Sequence, residues 1–149
     1  MPNWCLNKLT LRGPELDVAA FRKQAVGHSP WPRFQEGEGE TANLLNFHNL
    51  VPIPPEVRTA GYDNAGANWE RENWGCTYGA FETSIVDDRE DAVVYDFQTA
   101  WSPPIEFCVR AAKQFPTLTF ILDYDKPAMG FKGIARFKGE ANENHCIHY

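Results

Sequence analysis

The sequence lacks any run of about 20 apolar residues, the length that a membrane-spanning helix needs. Its opening residues, Met-Pro-Asn-Trp-Cys, lack the basic segment followed by an apolar segment that is typical of a secretion signal. Cysteine is scarce, and Cys5, Cys76, Cys108 and Cys146 are far apart and form no Cys-x-x-Cys motif. We therefore expect free thiols in a cytoplasmic protein that has no membrane segment.

Clustered basic residues are also lacking. The chain has 14 Lys and Arg against 20 Asp and Glu, which gives a net charge of −6. Nucleic acids and anionic membranes both select grouped Lys and Arg, so this composition disfavours either as a general partner. The acidic residues are scattered along the chain, as is usual for a charge that maintains solubility.

Signatures of catalysis and of metal binding are missing as well. No Ser or Cys lies in a nucleophile elbow, and the acidic residues do not have EF-hand spacing. His145, Cys146 and His148 are three soft ligands, but zinc sites usually draw on two separated pairs, and no second pair exists. The sequence predicts no catalytic residue, no metal and no cofactor. It favours a non-enzymatic protein, with a nucleotide hydrolase as the weakest alternative.

The composition is that of a folded protein. Of its 149 residues, 43% are hydrophobic and 13% aromatic, which is enough for one domain spanning residues 1–149. Strands are predicted where apolar residues alternate, and helices where they recur at steps of three and four. The strands cover residues 4–12, 76–86, 92–100, 117–124 and 129–138, and the helices cover residues 14–26 and 102–115. The tail after Gly139 is predicted to fray.

This order predicts an α+β fold with a ferredoxin-like β-α-β-β-α-β core, an extra C-terminal strand and a long irregular insertion after the first helix. The insertion covers about residues 28–75 and is rich in Pro and Gly. Its acidic part, residues 35–42, is predicted to be mobile. The apolar residues from Leu44 to Ile53 are predicted to pack over the core, ahead of a short helix that begins near residues 54–56.

Five short motifs resemble a family of uncharacterised phage and plasmid proteins described as having a YubB-type ferredoxin-like domain. The motifs are residues 1–5, 50–54, 72–75, 99–104 and 127–131. The resemblance covers nearly the whole chain and implies the same fold and a mobile genetic element as the source. It transfers no catalytic residue. The family commonly has Asn-Trp-Gly-Thr-Lys-Trp, whereas Cys76, Thr77 and Tyr78 follow Gly75 here.

The candidate ligand-binding residues are Trp69, Arg71, Asn73, Trp74 and Trp101. The first four end the insertion, where a cleft against the sheet is expected. Indole rings can stack on a planar ligand, a guanidinium can bind phosphate or carboxylate, and an amide can recognise a polar edge. The alternative is that the Trp side chains only pack the insertion onto the core and the charges face water.

The leading hypothesis is a binding module whose partner is a host protein or a small nucleotide-like ligand, acting in counter-defence or in maintenance of the element. The alternative is a single-stranded nucleic-acid-binding domain that uses the sheet face, with Tyr95, Phe97 and Phe131 as stacking residues. The sequence leaves open whether the exposed strand edge pairs with a second copy to form a homo-oligomer.

Overall fold

Six strands form one antiparallel sheet in the order β2-β3-β1-β4-β5-β6. The computed structural model describes residues 3–31 and 42–149. The strands are β1 (Trp4–Arg12), β2 (Thr77–Arg89), β3 (Ala92–Ala100), β4 (Thr119–Lys126), β5 (Phe131–Lys138) and β6 (Ala141–His148). The first four strands lie in the order of a ferredoxin-like core, with β1 at the centre, as predicted.

The two faces of the sheet differ in polarity because side chains alternate along each strand. Odd-numbered residues of β1 and β3, such as Leu9 and Tyr95, are buried. In β4 the even-numbered residues Phe120, Leu122 and Tyr124 are buried, as expected, and so is Leu118 just before the strand. Two helices, α1 (Glu15–Ala25) and the later Ile105–Gln114, pack on this face. The opposite face is here called the open face.

The insertion is more regular than predicted. It contains α2 (Phe47–Leu50), α3 (Pro55–Ala60), a π-helical turn (Tyr62–Gly66) and α4 (Ala67–Asn73); Ile105–Gln114 is α5. The prediction that the apolar segment packs over the core is confirmed, since Leu45, Phe47, Leu50, Val51 and Ile53 are all buried. The mobility predicted for residues 35–42 falls, except for residue 42, outside the described residues.

The C-terminal region corrects one detail of the predicted fold, the number of strands that follow the core. Two strands, β5 and β6, extend the sheet where one was expected, and the tail after Gly139 does not fray. Residues 141–148 of β6 pair with residues 138–131 of β5 without a register shift. Gly139 has a φ of 58°, which suits the two-residue hairpin turn that joins the strands. The fold therefore carries a complete hairpin beyond its core.

The two edges of the sheet have different geometry. β2 pairs with β3 through three register shifts, and Tyr78, Gly79 and Glu82 in it have positive φ. It also continues through Asp87 and Asp88, which were predicted to lie in a turn. β6 has no such irregularity along its pairing with β5.

Smaller predictions failed at the ends of elements. Ser102 does not cap α5: its hydroxyl donates to the carbonyl oxygen of Gly75, and Pro104 occupies the cap position. Met129 lies in a 3-10 turn and is exposed, instead of starting the last strand. Among the described residues, no helix is long and apolar enough to cross a membrane.

Candidate functional site

At the junction between the insertion and the core, Trp74 is enclosed by packing. Trp74, directly after α4, is 3% exposed and its indole Nε1 donates to the carbonyl oxygen of Val51 at 3.0 Å. Its ring meets Phe47 edge-on at 5.5 Å and Trp69 at 5.7 Å. Val51, Phe47 and Trp69 belong to the insertion, as Trp74 does, so these contacts hold the insertion together. Trp74 also contacts the core, because its carbonyl oxygen accepts from the backbone N–H of Phe107 at 3.1 Å.

Glu70 is the polar centre of this junction, and the sequence analysis missed it. Its side chain is fully buried; Oε2 accepts from Trp31 Nε1 at 2.9 Å and Oε1 from the backbone N–H of Tyr78 at 2.8 Å. Burial raises the pKa of the carboxyl group, while hydrogen bonds from Tyr78, Trp31 and Tyr62 lower it in part. A signal existed, since Glu70 lies four residues before Trp74, on the same side of α4.

The space beside Glu70 is small. The cavity that Glu70 lines with Trp31, Phe47, Trp74 and Tyr78 has a volume of about 20 Å³. That is room for about one water molecule and far less than the several hundred Å³ of an ordinary ligand pocket. The space directly beside Glu70 is therefore too small for a nucleotide-like ligand. A second depression, of about 420 Å³, lies where Val51, Pro52 and Trp69 of the insertion meet α5.

The structure brings only part of the predicted site together. Trp69 and Trp74 are in contact, whereas Arg71 is exposed on the outer side of α4. The side-chain amide of Asn73 donates to the carbonyl oxygen of Trp69, one turn back, at 2.8 Å. The five residues do not converge on one space, and their assignment to a ligand stays a prediction.

Trp101 contacts other residues than the Trp69–Trp74 pair does. It follows β3 with a φ of 71°, and its side chain is 52% exposed. The ammonium group of Lys126 lies 5.5 Å from the centre of its ring and also donates to its carbonyl oxygen. Trp101 is therefore an exposed corner residue held by a cation–π contact.

A concave surface with a volume of about 610 Å³ lies on the open face of the sheet. Strand register aligns its side chains in two rows. One row runs Leu6, Asp125, Lys132 and Ile147 across β1, β4, β5 and β6. The next row runs Asp96, Lys8, Asp123, Ile134 and His145. We call these nine residues the open-face rows.

The open-face rows combine exposed aliphatic side chains with charges of both signs. Leu6 is 44% exposed, Ile134 46% and Ile147 57%. Lys8 and Lys132 alternate along the rows with Asp96, Asp123 and Asp125. A surface of this kind matches a partner that offers apolar side chains and charges of both signs, as a polypeptide does.

Two of the three residues expected to stack nucleobases are on the wrong side of the sheet. Tyr95 and Phe97 are 0% and 3% exposed and lie in the core, on the face that the helices cover. The prediction is wrong because both residues are odd-numbered, and the odd-numbered side chains of β3 point to the face that the helices cover. Phe131 is half-buried, with its ring 6.3 Å from that of Tyr124.

Chemistry based on thiols or metals receives no support from the described ranges, 3–31 and 42–149. Burial raises the pKa of Cys5 to about 11, and it also raises the pKa values of Cys76 and Cys108, so these thiols are protonated at neutral pH. His145 and His148 project from opposite faces of β6, because their positions differ by three. No group of three or more His, Cys, Asp or Glu side chains there could hold a metal ion.

Comparisons with known proteins agree with this architecture. A family model described as a ferredoxin-like domain in Api92-like protein matches residues 68–148. The crystal structure of the protein Api92 from Yersinia pseudotuberculosis is similar to this chain with a TM-score of 0.76. The match covers 100% of this chain and 98% of that one at 11% sequence identity, so it shows a shared fold. No curated protein matches the sequence.

Proposed function

The chain belongs to the family of ferredoxin-like domains found in Api92-like proteins, and from this premise we propose that it is a non-enzymatic module that binds a partner protein on the open face of its sheet. The observation that carries the proposal is the depression of about 610 Å³ along the open-face rows, where Leu6, Ile134 and Ile147 are exposed. Aliphatic side chains grouped in this way lose contact with water when a partner covers them, which drives association.

A protein partner is favoured over nucleic acid by the charges of the rows. Near the depression, three carboxylates, those of Asp96, Asp123 and Asp125, accompany the ammonium groups of Lys8 and Lys132. Phosphates would be repelled by the carboxylates, and two of the three aromatic side chains expected to stack bases, Tyr95 and Phe97, are buried under the helices. Apolar contacts with paired charges around them suit a protein surface better.

The proposed setting is a mobile genetic element, with a host protein as the partner and counter-defence as the process. Support for this setting is the resemblance of five motifs to phage and plasmid proteins. The setting follows from association and not from geometry, so its test is separate from the test of the surface.

The surface is tested by quantitative capture from bacterial lysate. The test variant carries Leu6→Gln and Ile134→Gln; the matched control carries Leu16→Gln and Val26→Gln, two exposed aliphatic residues in and after α1. We expect a partner that wild type and control both enrich and that the test variant enriches about tenfold less, which corresponds to a loss of about 1.4 kcal/mol. Equal capture by both variants would contradict the proposal.

Two measurements on the same samples decide the alternatives. Anisotropy titration with single-stranded oligonucleotides at low salt, where electrostatic affinity is greatest, detects a nucleic-acid binder. Native mass spectrometry detects a co-purifying small molecule. If wild type binds either one and the Leu6→Gln, Ile134→Gln variant does not, then the open face is a binding surface of another class, and the proposed protein partner is wrong.

A further inference from the structure

The outer edge of β6 has a regular main chain. It ends the sheet, and no other strand within residues 3–31 and 42–149 pairs with it. The amide N–H of Tyr149 donates to the carbonyl oxygen of Gly130 at 2.7 Å, so Tyr149 turns its main chain towards β5. Along a strand, the main-chain N–H and C=O groups of successive residues point alternately to one side of the strand and to the other. Asn142, Asn144, Cys146 and His148 therefore direct their N–H and C=O groups away from the sheet.

This edge lacks the features that usually protect a strand from pairing. Natural edges are blunted by Lys, Pro, bulges or short length. β6 has eight residues, contains neither Lys nor Pro, and runs without a bulge. The opposite edge, β2, has three register shifts and residues with positive φ. Of the two sheet edges that the structure describes, β6 is the one with a straight row of donors and acceptors.

The sequence of β6 is self-complementary in one register. Glu143 and His145 project onto the open face, and within one chain the carboxylate lies 3.7 Å from the imidazole. When two such strands run antiparallel about a twofold axis at Asn144, Glu143 of each lies opposite His145 of the other. The register centred on His145 instead places His145 opposite itself and Glu143 opposite Ile147, which provides no such pair.

We propose that β6 pairs with β6 of a second copy of this chain, antiparallel and centred on Asn144. The main-chain groups of Asn144 then bond to those of the same residue in the other copy, and those of Asn142 to those of Cys146. The two six-stranded sheets become one continuous sheet whose open faces lie side by side. A twofold interface of this kind uses the same segment from both copies, so a second copy supplies every complementary group.

The main test compares two substitutions at one position. Asn144→Pro removes an N–H that points outward, which β5 does not use, and it blocks the centre of the proposed pairing. Asn144→Ala is the control, because it retains that N–H. Both variants lose the hydrogen bond that Tyr124 Oη donates to Asn144 Oδ1. In sedimentation velocity across a concentration series, we expect proline to raise the dimer dissociation constant about a hundredfold, because two central hydrogen bonds are lost, and alanine to leave it nearly unchanged.

The register is tested by cross-linking. Asn142→Cys places a thiol opposite Cys146 of the second copy, at the Cα separation of about 5.5 Å found in hydrogen-bonded antiparallel pairs and compatible with a disulfide. We expect oxidation to yield a covalent dimer from Asn142→Cys and none once Cys146→Ser is added. A covalent dimer that forms equally without Cys146 would contradict the register.

A third variant serves if Asn144→Pro does not fold. His145→Glu places carboxylates opposite each other across the interface, and we expect it to raise the dissociation constant about tenfold. Wild-type protein that stays monomeric throughout the series would overturn the proposal, as would equal effects of proline and alanine. The Leu6→Gln, Ile134→Gln variant should still dimerise, so failure of the open-face proposal remains distinguishable.

Discussion

The junction of the insertion with the core and the open face of the sheet differ in what covers their side chains. At the junction, Glu70 and Trp74 are buried; each carboxylate oxygen of Glu70 accepts a hydrogen bond, and the indole N–H of Trp74 donates one. On the open face, Leu6, Ile134 and Ile147 are left half-exposed. At the junction, the side chains of Glu70 and Trp74 are thus covered by packing, whereas on the open face ordinary aliphatic side chains remain in contact with solvent.

The largest expected effect separates the two Trp environments. Trp74→Ala removes a buried ring and leaves the Val51 carbonyl oxygen without its donor, so we expect a loss of about 4 kcal/mol in the free energy of unfolding. Trp101→Ala, at a half-exposed ring with one cation–π contact, should cost about 1 kcal/mol. Urea unfolding measures both. Similar losses would mean that the junction is not the better packed of the two regions.

A smaller effect is expected at Glu70. Glu70→Gln keeps one acceptor oxygen but replaces the other with an amide N–H₂ group, which cannot accept a hydrogen bond. One of the two buried donors, Trp31 Nε1 or the Tyr78 N–H, therefore loses its partner, and we expect the free energy of unfolding to fall by about 2 kcal/mol near neutral pH. Glu72→Gln, on the exposed side of α4, is the matched control and should change stability by less than about 0.5 kcal/mol. Equal effects would show that the buried carboxylate is not what holds Trp31 and Tyr78.

The difference in stability between wild type and Glu70→Gln should change with pH in a definite direction. Burial raises the pKa of the Glu70 carboxyl group in the folded state above its ordinary value of 4.5. Its protonated form therefore favours folding: this contribution is fully present below pH 4.5 and is lost as the pH rises through the raised value. We expect the stability of wild type relative to Glu70→Gln to fall as the pH rises above 4.5. Urea unfolding at several pH values measures this difference in stability. A difference that grows as the pH rises would show that the hydrogen bonds to Glu70 lower its pKa by more than burial raises it.

The smallest effect concerns a buried polar atom in the sheet. The hydroxyl of Tyr95 is buried without a hydrogen-bond partner among the described residues, and burial raises its pKa to about 12. Tyr95→Phe should therefore raise the free energy of unfolding by about 1 kcal/mol. Thermal unfolding compares it with Tyr124→Phe, which loses a hydrogen bond to Asn144 and should not stabilise. Destabilisation by both would indicate that Tyr95 Oη has a water or ligand as its partner.

The core was predictable because burial leaves a periodic pattern. Leu9 and Leu11, like Val18 and Phe21, have the spacing of one buried face, and their strands and helices were found within a few residues. β6 was missed for the opposite reason: all eight of its residues are exposed, so none of them reveals an apolar face. Its position depends on pairing with β5, which is a tertiary contact.

The candidate site was harder to predict than the fold. Trp69, Arg71 and Trp74 lie within six consecutive residues, but helical geometry turns Arg71 outward while Trp74 turns inward. The open-face rows draw residues from five strands, β3, β1, β4, β5 and β6. Their proximity exists only once the strand order is known, so no local motif could indicate it.

The bulged shape of β2 sets a limit on self-assembly. A sheet with two regular edges can add copies at both ends and grow into a fibre. Here the register shifts and positive φ values in β2 leave β6 as the one regular edge among the described residues. The proposed pairing of β6 therefore joins two copies and provides no second regular edge at which a third copy could add.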